Sequence, residues 1–395
     1  MRIKNVLKKL RLHFFIAVHA FFVLYLCYVA GNIPYSLGSE VQTVKWLNAL
    51  SGWLSDKKEL LPDELLPINV SYDKELTKLS NEYGMPLGVI DITDRTKLYK
   101  LLSIIDSVGN YKYVVCDLFF SSEYQTNIDS TLYNLISRMP RFVIAGGESP
   151  DELPESIRNR AFSAGYNITI DESSFVKYPL ISNDKESIAL QMWKEMYGGT
   201  LGGNSLLSTS NGRLCRRTMF LQLPIQIPDG SPQYLNMGAD IIDVKELIDM
   251  QTLFKDKIIL IGSFVEDDIH STVVGDMPGV MINYNAFYAL REGQHYISVL
   301  SAIILFVIFY LVTFVVTSHK SVFDQIPEKF RPKSIIMRLL YSVISLSTIF
   351  SLLFLFFYIF FEETYDIFFI ASYFSLLFMT KDIYMNYINL NSSVK

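Results

Sequence analysis

Apolar residues gather in one stretch near the start of the chain, residues 12–33, and in three near its end, 297–317, 339–361 and 365–380. The long segment between them, 34–296, breaks into short apolar runs separated by polar and charged residues. A run of about 20 apolar residues is long enough to cross a hydrocarbon core, so spans are expected at 12–33, 297–317 and 339–361. The fourth stretch is weaker. It lies between Asp366 and Lys381, short of the roughly 20 residues a span needs, so Lys381 has to snorkel if it crosses.

Inside 34–296 the pattern predicts alternating strands and helices. Residues 40–54 read as an amphipathic helix leaving the membrane, and Pro62 and Pro67 then interrupt the chain. A first strand is expected at 66–71, followed by a long loop; 87–92 alternates like a strand but is equally readable as loop. Residues 95–109 place Leu98, Leu101, Leu102, Ile105 and Val108 on one helical face, with Asp94 as the cap. Further strands are expected at 112–120, 141–146 and 257–262, and helices near 127–138, at 184–197, at 243–251 and at 283–292. Strands that are apolar throughout and spaced by helices argue for a mostly parallel sheet covered on both faces. The fold class expected is therefore an α/β extracytoplasmic domain joined to α-helical transmembrane spans, one N-terminal and three C-terminal.

Composition and charge fix the orientation. The chain has 395 residues, half of them hydrophobic, and a mean hydropathy of +0.25, as expected of a membrane protein. Arg2, Lys4, Lys8, Lys9 and Arg11 crowd the tail 1–11, and Lys320, Lys329, Arg331, Lys333 and Arg338 crowd the loop 318–338. By the positive-inside rule both are cytoplasmic, as is the tail 381–395, while Glu362, Glu363 and Asp366 suit the outer side. The first stretch is longer than a signal-peptide core and lacks a small-x-small cleavage site, so it is read as a retained anchor. The outer segment holds 23 basic and 34 acidic side chains; that excess of acid disfavours nucleic acid, whose phosphates demand clustered Lys and Arg.

Few residues point to chemistry. Asp73 and Asp117 fall at the expected carboxyl ends of two strands, where open parallel sheets receive ligands; two carboxylates there suit a cation, an amine or a sugar hydroxyl, or they cap helices and fasten loops. The run Glu266-Asp267-Asp268-Ile269-His270 follows another strand. Without an HExxH or paired-Cys motif it makes a weak metal site, and loop fixing or ligand contact by Asp268 and His270 is the better reading. Gly146-Gly147 and Gly198–Gly203 lack phosphate-loop spacing, and no GxSxG elbow is present. Cys116 lies in an apolar strand, as a buried thiol would; its pairing with Cys215 stays open. His13 sits at the membrane interface and His19 within the first span, where it is a candidate helix–helix contact.

The order of local signatures over 66–293 resembles the type-2 CHASE extracellular sensor domain of bacterial membrane receptors. The stretches that carry it are Asn69–Asp73 with Arg95 opening the next helix, Val115–Ser121, Gly165–Asn167, Tyr178–Leu180, Ser187–Leu190, and above all Lys255–Phe264 followed by Asp268, Thr272, Gly275, Pro278–Val280, Asn285, Ala286 and Leu290–Gly293. Two departures stand out: Gly88–Asp94 replaces a Trp- and Pro-rich segment, and Asn283 stands where the family usually has His. The resemblance implies a multi-pass protein of the bacterial inner membrane with 34–296 in the periplasm. It implies a sensor, with Asp73, Arg95, Asp117, Asp268 and His270 as candidate ligand-binding residues. No cofactor, metal or catalytic residue is expected. The expected partners are the lipid bilayer, an extracytoplasmic small molecule or protein, and a membrane or cytoplasmic signalling protein, since no kinase, cyclase or DNA-binding segment follows the last apolar stretch. The alternatives are an envelope scaffold that docks another protein and, less favoured, a membrane-anchored enzyme.

Overall fold

The computed structural model describes residues 2–36, 61–80, 86–121, 126–146, 153–164, 175–221, 234–246, 249–265, 268–318, 334–361 and 367–393, with isolated residues between these ranges. The chain enters through α1 (Arg2–Gly31). In the outer domain β1 (Leu65–Asn69) is followed by the hairpin β2 (Lys74–Ser80) and β3 (Pro86–Thr93). Then come α2 (Arg95–Val108), β4 (Tyr113–Cys116), α3 (Asp129–Arg138), β5 (Phe142–Gly146) and β6 (Ala161–Ser163). β7 (Lys177–Pro179) and α4 (Ile188–Tyr197) precede a meander of β8 (Leu201–Asn204), β9 (Leu207–Ser210) and β10 (Arg213–Cys215). β11 (Thr218–Phe220) pairs back on β7. The domain closes with β12 (Leu235–Asn236), α5 (Met250–Phe254), β13 (Ile258–Gly262), the hairpin β14 (Ile269–Thr272) and β15 (Gly275–Pro278), and α6 (Gly279–Arg291).

The central sheet has the order β12-β1-β13-β4-β5-β6, and every pairing in it is parallel. Successive residues of its strands point to opposite faces, and both faces are apolar. Tyr113, Val115, Ile258 and Leu260 pack with α4 and α6 through Leu190, Trp193, Met281 and Phe287. Val114, Cys116, Ile259 and Ile261 pack with α2, α3 and α5 through Leu98, Leu102, Leu132, Ile136 and Phe254. α6 is buried nearly all round. At roughly 1.5–3 kcal/mol per large apolar side chain buried, its packing outweighs the cost of carrying Asn283 and Asn285 inside. Asn285 meets that cost locally, bonding the Ile225 backbone N–H and carbonyl and the Met281 carbonyl.

α2 forms where its apolar spacing predicts, with Asp94 Oδ1 accepting from Lys97 N at 2.8 Å. Other expectations are corrected. The long loop after the first strand is the β2–β3 hairpin, registered from Lys74 opposite Thr93 to Ser80 opposite Pro86, so the alternation over 87–92 is a true strand signal. Of the helix expected over 243–251, the described residues 243–246 form turns instead, and residues 247–248 lie outside the described residues. A π-helical turn occupies Met237–Ile242, and α5 starts only at Met250 because Asp249 accepts from Gln251 N and Thr252 Oγ1. α4 begins at Ile188 rather than 184, capped by Ser187 Oγ, and residues 181–186 form a small hairpin. α6 starts at Gly279 instead of 283, because Pro278 at the N-cap sets an extended entry and releases no stranded N–H. The amphipathic helix expected at 40–54 lies largely outside the described residues; the part described packs Val41 and Val44 on Val176. Cys116 and Cys215 are buried and free, so they do not pair.

Beyond the domain run α7 (Val299–Ser318), α8 (Ile335–Phe361) and α9 (Ile367–Ser393). Three helices are long and apolar enough to cross a membrane, over Lys9–Gly31, Val299–Thr317 and Ile336–Phe361. In α9 the apolar part is Phe369–Lys381, yet the helix continues past it, and Lys381 Nζ donates to the Val316 carbonyl near the end of α7. The four helices share a core of Ala20, Val23, Leu305, Phe309, Phe350, Phe354 and Phe374. Their outer faces expose Phe14, Phe21, Val299, Ile344 and Leu352, the apolar surface that lipid covers.

Candidate functional site

The carboxyl edge of the sheet divides into two halves. Over β12, β1 and β13 it is sealed. Asn69 Oδ1 accepts from Ser71 N, Ser71 Oγ and Phe264 N, while Asn69 Nδ2 donates to Asn236. Asp73 is buried and uses both oxygens: Oδ1 accepts from Lys97 Nζ at 2.6 Å and Oδ2 from Gly238 N at 2.9 Å. A Cβ on residue 238 would stand 2.4 Å from Asp73 Oδ1, so glycine is what lets the carboxylate seat there. Arg95 is also buried. Its guanidinium lies 4.3 Å from the centre of the Phe120 ring and donates to the Phe119 carbonyl, which fastens α2 to the segment after β4.

Over β4, β5 and β6 the edge stays open. A cavity of about 240 Å³ lies there, lined by Asp117, Phe119, Ala145, Phe175, Asp268 and His270, with Ala164 and the first turns of α6 (Gly279, Ile282, Asn283). The structure thus brings Asp117, Asp268 and His270 together and leaves Asp73 and Arg95 outside the lining. β4 ends at Cys116 and delivers Asp117 to the cavity floor. The β14–β15 hairpin supplies His270, and Phe175 is tied to that hairpin by its N–H to the Ser271 carbonyl at 2.6 Å.

Hydrogen bonds order the polar groups. Buried Tyr178 donates to Asn283 Oδ1 at 2.6 Å, and Asn283 Nδ2 donates to Asp117 Oδ2 at 3.1 Å. Across the cavity His270 Nε2 meets Asp268 Oδ1 at 2.8 Å. Desolvation first, and then the charge of Asp268, push the Asp117 carboxyl up to about 7, against the pull of Asn283 and His270. The hydrogen bond to Asp268 holds the His270 imidazole above its ordinary value. Among the described residues no three His, Cys, Asp or Glu side chains could hold a metal ion; Glu266 and Asp267 lie outside the described residues. Asn283, Tyr178, Phe119 and Phe175 complete a site that the acids alone did not reveal in the sequence.

A family model for the CHASE2 domain matches residues 73–317. The chain belongs to the CHASE2 family. Comparison with curated proteins and with solved structures yields no match. CHASE2 is an extracellular sensory domain, and here it stands on helices able to anchor it in a membrane.

The CHASE2 domain joins its spans through the β8–β10 meander. From α1, Tyr28 Oη donates to the Cys215 carbonyl and accepts from Ser208 N, and Asn32 Oδ1 accepts from Arg217 N at 2.7 Å. From the α8–α9 connection, buried Glu363 accepts from Ser298 N, Ser301 Oγ and Tyr365 Oη, and faces Arg216 at 3.8 Å. Within the bundle His19 bonds Thr313 and Tyr373, the helix contact expected of it, and His13 bonds Tyr310 at 2.6 Å.

Proposed function

We propose that this CHASE2 protein is a membrane-anchored receptor module. On this reading a small molecule enters the strand-end cavity, and the span bundle hands the resulting change to a separate signalling partner. The observation that carries it is one of continuity. The helix whose first turns line the cavity, α6, runs through residues 292–298 into α7, and there the Arg216 N–H to His295 carbonyl bond and the Glu363 cluster grip the connection. A ligand that favours one setting of α6 thereby biases the spans, which is the only way binding shifts an equilibrium. The basic residues of 1–11 and 318–338 support a bacterial inner-membrane placement with the CHASE2 domain in the periplasm.

The test uses the full chain in lipid nanodiscs with spin labels replacing exposed Val18 and Ile344. A panel of small amines, polyols and carboxylic acids is screened, and a compound whose binding depends on Asp117 should change the distance between the labels. No such compound, or one that binds and leaves the distance unchanged, overturns the receptor reading. One observation favours a docking scaffold as second reading: the β2–β3 hairpin exposes Leu76 (76%), Leu87 (61%) and Val89 (65%), an apolar patch of the kind partners cover.

A further inference from the structure

We propose that the cavity takes a small organic amine, with its ammonium group at Asp117 and Asp268 and its apolar body against Phe119, Phe175 and Ile282. This rests on the receptor reading only in taking the cavity as the ligand site. Charge argues for it first. Among the described lining residues there are two carboxylates and no Lys or Arg, and the sole basic group, His270, is already held by Asp268. With that pair neutralised, one negative charge at Asp117 is left for the ligand to balance. Donors argue for it next. An anion would look to the amino end of α6, but the Asp268 carboxylate covers it, standing where a Cβ on Gly279 would come within 2.5 Å of Oδ2. Asn283 Nδ2 already gives one of its two hydrogens to Asp117.

The remaining wall is apolar and aromatic. Phe119 is 41% exposed and lines the cavity, and the Phe175 ring stands edge-on to His270 at 6.2 Å. Aromatic faces attract ammonium groups by about 0.5–2 kcal/mol, on top of what they gain by covering an alkyl or aryl body. At about 240 Å³ the space falls below the roughly 300–1,000 Å³ of pockets for drug-sized ligands, so the occupant is of metabolite size. A metal ion is disfavoured by the lack, among the described residues, of three donors able to hold one.

The experiment is isothermal titration of the full chain in nanodiscs at pH 8 with butylamine, benzylamine, benzyl alcohol and benzoate. The amines should bind at least tenfold tighter than the alcohol, and benzoate should not bind. Asp117→Asn should weaken amine binding at least tenfold with a melting midpoint no lower than that of wild type, which separates lost recognition from lost folding; Asp268→Asn provides the second variant. If benzyl alcohol or benzoate binds as tightly as the amines and loses that binding in Asp117→Asn, the amine class is overturned and the cavity still serves the receptor. Failure of both amines to bind, or amine affinity unchanged in both variants, overturns the proposal.

Discussion

Asp73 and Asp117 each follow a buried parallel strand of the same sheet, and their surroundings are opposite. Asp73 is met on both oxygens by Lys97 and the Gly238 N–H. Asp117 receives one amide, from Asn283, and turns its remaining capacity toward a cavity that already holds a second carboxylate. One acid is a fastener. The other carries a cost that the fold leaves uncompensated, and uncompensated buried charge collects where a protein binds something. The difference comes from what the neighbouring elements bring: the π-helical turn after β12 closes over Asp73, whereas the β14–β15 hairpin holds Asp268 and His270 at the rim above Asp117.

The strongest way to break this comparison is Asp73→Ala. It strands the buried Gly238 N–H and frees Lys97, whose half-exposed side chain recovers water. Hydrogen bonds to a charged group contribute about 1.5–3 kcal/mol each, and with the Lys97 bond discounted for exposure the loss should be about 2–3 kcal/mol. The melting midpoint in nanodiscs should fall by several degrees, with no change in cavity binding once the protein is folded. A midpoint within error of wild type would mean that Asp73 fastens nothing.

Much of the scaffold is legible in the chain. Tyr113–Cys116 and Ile258–Gly262 are apolar at every position, which only a sheet covered on both faces explains, and the Leu98–Ile105 spacing with Asp94 ahead of it marks α2 and its cap. The hairpin at 74–93 is hard to read because Leu76, Leu87, Val89 and Ile90 on its strands are exposed, so its alternation lacks a clear buried side. Within the helix expected over 243–251, residues 243–246 form turns, and a helix begins only at Met250, behind the Asp249 cap. At the site, Asp117, Asp268 and His270 are visible as residue types after strands, yet nothing local separates Asp117 from Asp73, since the partners that decide it come from as far away as Gly238 and Asn283. Glu363 is not singled out by the sequence, because an acid in an outer connection between two spans is ordinarily solvated; only the fold shows it buried and facing Arg216.

Asp117→Asn sharpens the comparison by reversing its sign. The folded-state carboxyl is pushed up, to about 7, above its unfolded value near 3.9. Between those values the folded state holds more proton than the unfolded one, so stability falls as pH rises through that window and stays low above it. The Asn variant lacks this loss. It should therefore be more stable than wild type at pH 8, on the order of 1 kcal/mol after allowance for the water the cavity admits, and the gain should shrink to nothing near pH 4. Equal pH profiles for the two proteins would show that Asp117 is not held against its charge.

The smallest expected effect on stability comes from Gly279→Ala, and it tests how the rim is tuned. A Cβ there would stand 2.5 Å from Asp268 Oδ2 and 2.9 Å from Oδ1, so something must move. Gly238 has no outlet for the same demand, because the Asp73 carboxylate behind it is buried and doubly held. Asp268 has one: its side chain is 32% exposed and, among the described residues, bonds only His270. The carboxylate should swing outward and leave the helix in place. Gly279 is the first residue of α6, where alanine gains only part of the about 1 kcal/mol it has over glycine in a helix interior; against a carboxylate free to swing away, the melting midpoint should hardly change. His270 should report the move. The hydrogen bond that His270 gives to Asp268 is the largest cause of its raised pKa, and with that bond broken the imidazole should titrate at a lower pH in an NMR pH series. The charge that presses on Asp117 also moves away, so the pH window found with Asp117→Asn should shift downward. An unchanged His270 titration would mean that the Asp268 carboxylate does not depend on glycine at the start of α6, and the rim would then be set by the hairpin alone.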